Sequence, residues 1–347
     1  MGIQFGSFDS ICETAALVVC PLVGSDQGIE PNCYSRNVVI AGTLIFQPAT
    51  SVIHIVAIIM AAIMIFHVRS KYTAIGRKEI LMLFYLYAII ELLALFLDSG
   101  VIPIGNVSYP YFAAVYNGLI AAAYVCLLIN GFVGFQFAED GTPISLWLLR
   151  LAILAVFGVT FFVAIATFKN FAHFSFTKPT GLWVIYFIWP VVCVVIYIIS
   201  QLILIIRTLE DRWPIGDIFF GTAAYTIAQV LLFAFSGTIC NAVKHYIDGL
   251  FFFTLCMLFS VMMVYKYWDS ITREDLEFSV GSKATVWEIK DPLLVGGSPG
   301  VEYEDDVVSS YHGGAPASLV GGVSGQQLYS NVGSRGYPPP MERYSAY

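Results

Sequence analysis

Four of the seven cysteines lie outside the long apolar runs of the sequence, at Cys12, Cys20, Cys33 and Cys240. An even number of thiols in an oxidising compartment predicts two disulfides, which would tie the N-terminal segment to the connection that holds Cys240. Three pairings stay open, and free thiols in a loosely held segment are the alternative. Because no Cys-x-x-Cys spacing with a nearby histidine forms a tetrahedral set, we predict no metal site.

A second group of reactive side chains lies inside the apolar runs. It consists of His54, Glu91 near the middle of the second run, and Asp98 at the far end of that run. Ionisable groups at membrane depth are costly, so they are generally paired or functional. Glu91 is a candidate proton or cation ligand. We favour the alternative, a structural acid that is hydrogen-bonded to His54 or to a tyrosine.

Residue spacings that would support catalysis are missing from the sequence. The five histidines form no His-x-x-x-His pair, which an intramembrane zinc hydrolase would need. No phosphate-binding glycine-rich loop precedes a lysine. We therefore predict that the chain is not an enzyme and that it has no catalytic residues, cofactor or metal.

The composition decides which elements hold these side chains. Of 347 residues, 58% are hydrophobic and 12% are charged, against roughly 25% charged in soluble domains. Lipid must therefore be the solvent for much of the chain. Seven apolar runs are long enough to cross a bilayer as helices, at residues 50–68, 80–97, 112–137, 145–168, 181–206, 215–235 and 250–265. The predicted fold class is an all-α membrane protein, a bundle of about seven transmembrane helices.

Lysine and arginine fall mainly on one side of an alternating seven-span topology. That side holds Arg69, Lys71, Arg77, Lys78, Arg150, Arg207, Arg212, Lys266 and Arg273, and the other holds Arg36, Lys169, Lys178 and Lys244. Because basic residues favour the cytosolic side, we predict a lumenal N-terminus and a cytosolic C-terminus. The sequon that begins at Asn106 would then lie on the lumenal side, where glycosylation takes place.

These patterns divide the chain into three predicted segments. They are a lumenal N-terminal segment (1–48), a seven-helix transmembrane domain (49–267) and a cytosolic, mostly disordered tail (268–347) that is rich in Gly, Ser, Pro, Tyr and acidic residues. The absence of Lys and Arg before the short apolar patch at 15–23 predicts no cleavable signal peptide. A net charge of -7 gives no support for a nucleic-acid partner.

A series of ordered motifs resembles the fungal chitin synthase export chaperone family. They are CYSR at 33–36, KYTAIGR at 71–77, SYPYF at 108–112, EDGT at 139–142, KHYIDGLFF at 244–252, MMVYK at 262–266 and DLEF at 275–278. The resemblance covers roughly residues 5–280. It implies a multi-pass membrane protein of the endoplasmic reticulum that helps a polytopic chitin synthase to fold and leave for the cell surface, in support of cell-wall chitin synthesis. It implies no catalytic residues.

We therefore expect contacts with the synthase as well as with lipid. The candidate contact residues are Lys71, Tyr72, Arg77, Lys266 and Asp269 on the cytosolic side, and Lys244, His245 and Asp248 on the lumenal side. For the first group the alternative is a topological anchor with an interfacial clamp, and for the second a helix-start network with Asp248 as N-cap. The alternative function is a seven-span transporter or orphan sensor that uses Glu91 and His54. Self-association stays undetermined.

Overall fold

The computed structural model describes residues 5–25, 28–40, 42–72, 74–135, 142–208 and 212–288. Within these ranges, seven helical stretches are long and apolar enough to cross a membrane. They are α2 (Pro48–Ser70), α3 (Arg77–Asp98), α4 (Tyr109–Val133), α5 (Pro143–Phe168), α6 (Thr180–Trp183) continued by α7 (Trp189–Thr208), α8 (Pro214–Phe233) and the first part of α10 (Gly249–Glu288). The predicted seven-helix architecture is confirmed.

Smaller elements lie between and before these helices. They are α1 (Asp9–Thr14), a 3-10 turn (Cys20–Leu22), strands β1 (Val38–Ile40) and β2 (Thr43–Ile45), and α9 (Ser236–Ala242). The two strands form an antiparallel hairpin in which Val38 pairs with Ile45. The apolar runs of the sequence did not predict the hairpin or α9, because neither element is long enough to give such a run.

Proline marks the start of four of the long helices, at Pro48, Pro110, Pro143 and Pro214. Its fixed φ suits the first helical turn, and its missing N–H costs nothing at that position. Pro190 lies instead just after a π-helical segment, Val184–Ile188, that joins α6 to α7. Since Pro190 cannot donate to the carbonyl four residues earlier, the regular ladder is interrupted there and the helix is locally rewound.

Most helix ends differ from the apolar runs by a few residues, and the end of α10 differs by more. α4 begins at Tyr109, ahead of the run at 112, because Pro110 starts the helix before the apolar stretch does. α10 continues past residue 267 to Glu288, so its second half extends beyond the membrane-length stretch that ends at Thr272. The predicted disorder of the tail concerns mostly residues 289–347, which lie outside the described residues.

Small residues and interhelical hydrogen bonds hold the long helices together. On α8, the buried Gly221, Ala224 and Ala228 form the surface packed near α10, where Ser260 Oγ donates to the Gly221 carbonyl at 3.0 Å. Small side chains let helix backbones approach closely in lipid, where no hydrophobic force drives helices together. Gln201 of α7 donates to the Gly131 carbonyl of α4 at 2.7 Å and accepts from the Tyr267 hydroxyl of α10 at 2.7 Å.

The described residues of the segment 5–47, which we call the cap, pack over one end of the bundle. Phe8 is 1% exposed and lies in one apolar cluster with Leu182, Leu232 and Leu250 from three different helices. The cap also bonds to the loops at this end, where the amide of Arg36 donates to the His245 carbonyl at 2.7 Å. We call this end the disulfide face and the opposite end, which holds the loop at 71–76, the basic face.

Candidate functional site

A buried histidine bridges two carboxylates at the centre of the candidate site. His54 Nδ1 lies 2.6 Å from Glu91 Oε2, and His54 Nε2 lies 3.1 Å from Asp98 Oδ2. His54 is 4% exposed and Glu91 is 6% exposed. Glu91 and Asp98 are seven residues apart on α3, so they lie on the same side of the helix two turns apart, facing α2. The hydrogen-bonded pair of His54 with Glu91 agrees with the structural-acid interpretation, and Asp98 completes the group as a triad.

The triad forms part of the wall of a cavity of about 430 Å³ inside the bundle. Residues of six long helices line this cavity, namely α2 (through His54), α3, α4, α6 with α7, α8 and α10, and most of the lining is apolar. Seven tyrosines also line it: Tyr87, Tyr116, Tyr124, Tyr186, Tyr197, Tyr225 and Tyr267. Leu182, Leu232 and Leu250 belong both to the cavity wall and to the cluster beneath the cap, so the cap packs directly behind one end of the cavity.

On the basic face, the loop at 71–76 is clamped to α10. Lys71 Nζ pairs with Asp269 and lies 5.6 Å from the centre of the Trp268 ring, and Trp268 Nε1 donates to the Ile75 carbonyl at 3.1 Å. Lys266 Nζ lies 3.2 Å from Asp217 of α8. Tyr72 is 82% exposed, with the Arg77 guanidinium 5.5 Å from its ring centre. The intramolecular clamp was the alternative interpretation of these residues, and contact with a partner stays a prediction.

On the disulfide face, two disulfides fix the cap. Cys12 is bonded to Cys20, with Cα atoms 5.6 Å apart, and Cys33 is bonded to Cys240, with Cα atoms 6.1 Å apart. The second bond joins the cap to α9, the connection named in the sequence analysis. The first lies wholly within the cap.

Residues 244–248 of the disulfide face build a tight turn into α10. Lys244 and His245 both have positive φ, 53° and 68°, and the turn brings His245 Nδ1 to 3.2 Å from Cys33 Sγ. Asp248 Oδ1 accepts the amide of Phe251 at 3.3 Å, as an N-cap does. Desolvation by burial raises the pKa of Asp248 to about 6. This arrangement corresponds to the helix-start network of the sequence analysis.

Sequence reasoning missed three features of these sites. It did not foresee His245 beside the Cys33–Cys240 disulfide, which among the described residues is the one group of metal-ligand types with a suitable spacing. Because both sulfurs are bonded to each other, they offer no thiolate to a metal. It also missed the buried Glu79 in the first turn of α3, 1% exposed, where an acid is commonly a helix-dipole partner. The cavity itself has no signal in the sequence.

The fold and the buried site define a class: a multi-pass membrane protein of seven long helices with an internal, partly polar cavity. Comparison with known proteins supplies the family. The model of the family described as "Chitin synthase export chaperone" matches residues 4–282. The chain therefore belongs to the chitin synthase export chaperone family.

Individual relatives carry the same description. The chain is 59% identical to a chitin synthase export chaperone of Cryptococcus neoformans over 93% of this chain and 89% of the relative. It is 55% identical to one of Phaeosphaeria nodorum over 87% and 92%. It is 48% identical to one of Neurospora crassa over 99% of both chains. No solved structure matches the chain.

Proposed function

We propose that this protein is a membrane chaperone that assists the folding and export of a polytopic chitin synthase and so supports cell-wall chitin synthesis. The observation that carries the proposal is the family match, which covers residues 4–282 and therefore almost all of the described chain. It is supported by relatives at 48% to 59% identity whose names state the same function. We also propose that the protein acts by binding the synthase and not by catalysis.

We further propose that it resides in the endoplasmic reticulum with the disulfide face in the lumen and the basic face in the cytosol. Three features support this orientation. Disulfides persist in oxidising compartments, and both disulfides lie on the disulfide face. Basic residues such as Lys71 and Arg77 lie at the opposite ends of the helices, as the positive-inside rule expects. The sequon at Asn106 lies in the loop between α3 and α4, on the disulfide face.

Contact with the synthase is proposed at the basic face, through the outer surface of the loop clamped to α10. Lys71 is engaged in the clamp, so its charge is directed toward Asp269 of α10. Among the described residues of this loop, Tyr72 has the most exposed side chain, at 82%. Because Tyr72 follows the clamped Lys71 directly, binding of a partner through its ring should cost less ordering entropy than binding through a flexible segment.

A deletion strain tests the function. In cells that lack this gene, a fluorescently tagged chitin synthase should stay in intracellular membranes and wall chitin should fall, and reintroduction of the full chain should restore both. A tagged plasma-membrane protein of another family serves as the control, and its delivery should not change. Normal delivery of every chitin synthase in the deletion strain would remove the proposed function and leave the fold untouched.

A further inference from the structure

The internal cavity has the size of a ligand site. Its volume of about 430 Å³ lies within the range of ~300–1,000 Å³ that is usual for small-molecule sites. Six long helices bound it, and neither Lys71 nor Tyr72 of the basic face lines it, so the proposed contact with the synthase does not use it. Its mostly apolar wall would hold an apolar body, and its few polar groups would orient that body.

The polar end of the cavity carries a negative charge. Hydrogen bonds from both ring nitrogens of His54 to Glu91 and Asp98 require two protons among the three groups. With these two protons alone, the sum of charges is minus one, whether the second proton sits on the imidazole or on one carboxyl group. Among the described residues, no Lys or Arg forms an ion pair with either carboxylate. A buried charge without a counter-ion is costly, and a cationic ligand would neutralise it.

The side-chain oxygen of Asn117, on the same wall, receives no hydrogen bond from the part of the chain that the structure describes. Asn117 is 3% exposed and lines the cavity. Its side-chain nitrogen donates to the Ala113 carbonyl at 2.9 Å, which fixes the orientation of the amide. That oxygen is buried and has no hydrogen-bond partner within the described residues. A ligand that donates a hydrogen bond could therefore satisfy this oxygen.

The aromatic lining points to the same ligand class. Tyr87, Tyr116 and Tyr186 line the cavity together with the triad, and tyrosine faces attract ammonium groups by cation–π interaction. The carboxylate at the other end differs, because Asp217 is already paired with Lys266 at 3.2 Å. We propose that the cavity binds a lipophilic amine, with its ammonium beside Glu91 and Asp98 and its apolar body along the walls of α4, α7 and α8.

The test uses the purified full-length chain in detergent and three probes of one carbon skeleton: phenylbutylamine, phenylbutanol and phenylbutyrate, which are cationic, neutral and anionic at neutral pH. The midpoint of thermal unfolding is measured against probe concentration. The amine should raise the midpoint in a saturable manner, as a ligand that binds only the folded state does, and the alcohol and the acid should have little effect. Equal stabilisation by the alcohol or the acid, or no stabilisation by any probe, overturns the proposal.

Substitutions locate the ammonium. Asp98→Asn keeps an acceptor for His54 and removes the charge, and it should weaken amine binding about tenfold or more, the loss expected for a charged hydrogen bond. Asp217→Asn is the matched control at the paired carboxylate and should bind the amine as the unmodified chain does. If Asp98→Asn does not fold, Ile120→Trp fills the cavity from its wall, leaves the triad intact, and should abolish binding. Retained binding in Asp98→Asn or in Ile120→Trp contradicts the assigned position.

Discussion

The two faces of the bundle are held together by different chemistry. On the disulfide face, the cap is fixed by covalent bonds and by a buried apolar cluster that includes Phe8 and Leu250. On the basic face, the loop at 71–76 is held to α10 by the Lys71–Asp269 ion pair and by one indole hydrogen bond from Trp268. Ionic strength weakens partly exposed ion pairs and leaves disulfides and apolar burial in place. The contacts of the disulfide face should therefore be insensitive to ionic strength, and the ion pair of the basic face should weaken as ionic strength rises.

The largest effect is expected from the disulfide between the cap and α9. Replacing Cys33 and Cys240 together by serine should lower the free energy of unfolding by about 2–5 kcal/mol. Removing the Cys12–Cys20 disulfide should have a smaller effect, because it closes a loop with a sequence separation of 8 against 207. Thermal unfolding in detergent measures both. Cys256→Ser, at a free cysteine, is the control, and a double variant as stable as this control would contradict the account of the disulfide face.

Gly100, which packs against Phe46 of the cap, tests the packing of the disulfide face. Gly100 has φ 79°, and a Cβ there would overlap the ring of Phe46. Gly100→Ala should destabilise the protein by about 1–3 kcal/mol, since it adds both backbone strain and overpacking. Gly105→Ala is the matched control in the same loop, because a Cβ there meets no atom within 4 Å. Equal unfolding midpoints for the two variants would show that the Phe46 contact does not hold the cap.

On the basic face a smaller, salt-dependent effect is expected. Lys71→Gln removes the ion pair with Asp269 and the contact with the Trp268 ring, for a loss of about 1 kcal/mol at low salt that shrinks at high salt. The control is Lys266→Gln, since the Lys266 side chain is 64% exposed and its ion pair should contribute little. Unfolding midpoints at two sodium chloride concentrations test this. A loss in Lys71→Gln that is independent of salt would contradict an electrostatic clamp.

The smallest effect on stability is expected at the proposed contact. Tyr72→Ala should leave the unfolding midpoint nearly unchanged, because the side chain is 82% exposed, and it should reduce delivery of the synthase to the cell surface. Tyr111→Ala is a matched control on the other face, since Lys169 Nζ lies 5.5 Å from the Tyr111 ring centre, as Arg77 Cζ does from Tyr72. Equal delivery in the two variants would argue against contact at the basic face.

The sequence predicted the long helices because each is encoded by a contiguous apolar run. It predicted their ends less well. α4 begins at Tyr109, ahead of the apolar run at 112, and α10 continues into polar sequence as far as Glu288. The π-helical segment at Val184–Ile188 follows from Pro190, a signal that was present in the sequence. The hairpin β1–β2 was missed because strands of three residues give no periodic pattern.

The site was predicted in part for similar reasons. From the cost of charge at membrane depth, Glu91 was expected to bond either to His54 or to a tyrosine, and in the structure it bonds to His54. Asp98 also bonds to His54, because it lies seven residues, or two helical turns, after Glu91. The placement of His245 beside Cys33 depends on two residues with positive φ, Lys244 and His245, and such a turn has no signal without glycine. The cavity depends on how six helices pack, which no single stretch of sequence specifies.

The central claim is that the protein promotes export by direct contact with chitin synthase in the membrane. A photo-crosslinking amino acid at position 72, in cells that express a tagged synthase, tests this contact before any detergent is added. The account predicts a crosslinked product that contains both chains in endoplasmic reticulum membranes, and a much weaker one when the crosslinker replaces Tyr111. Absence of the product at position 72, in cells where the variant still supports delivery of the synthase, would contradict it.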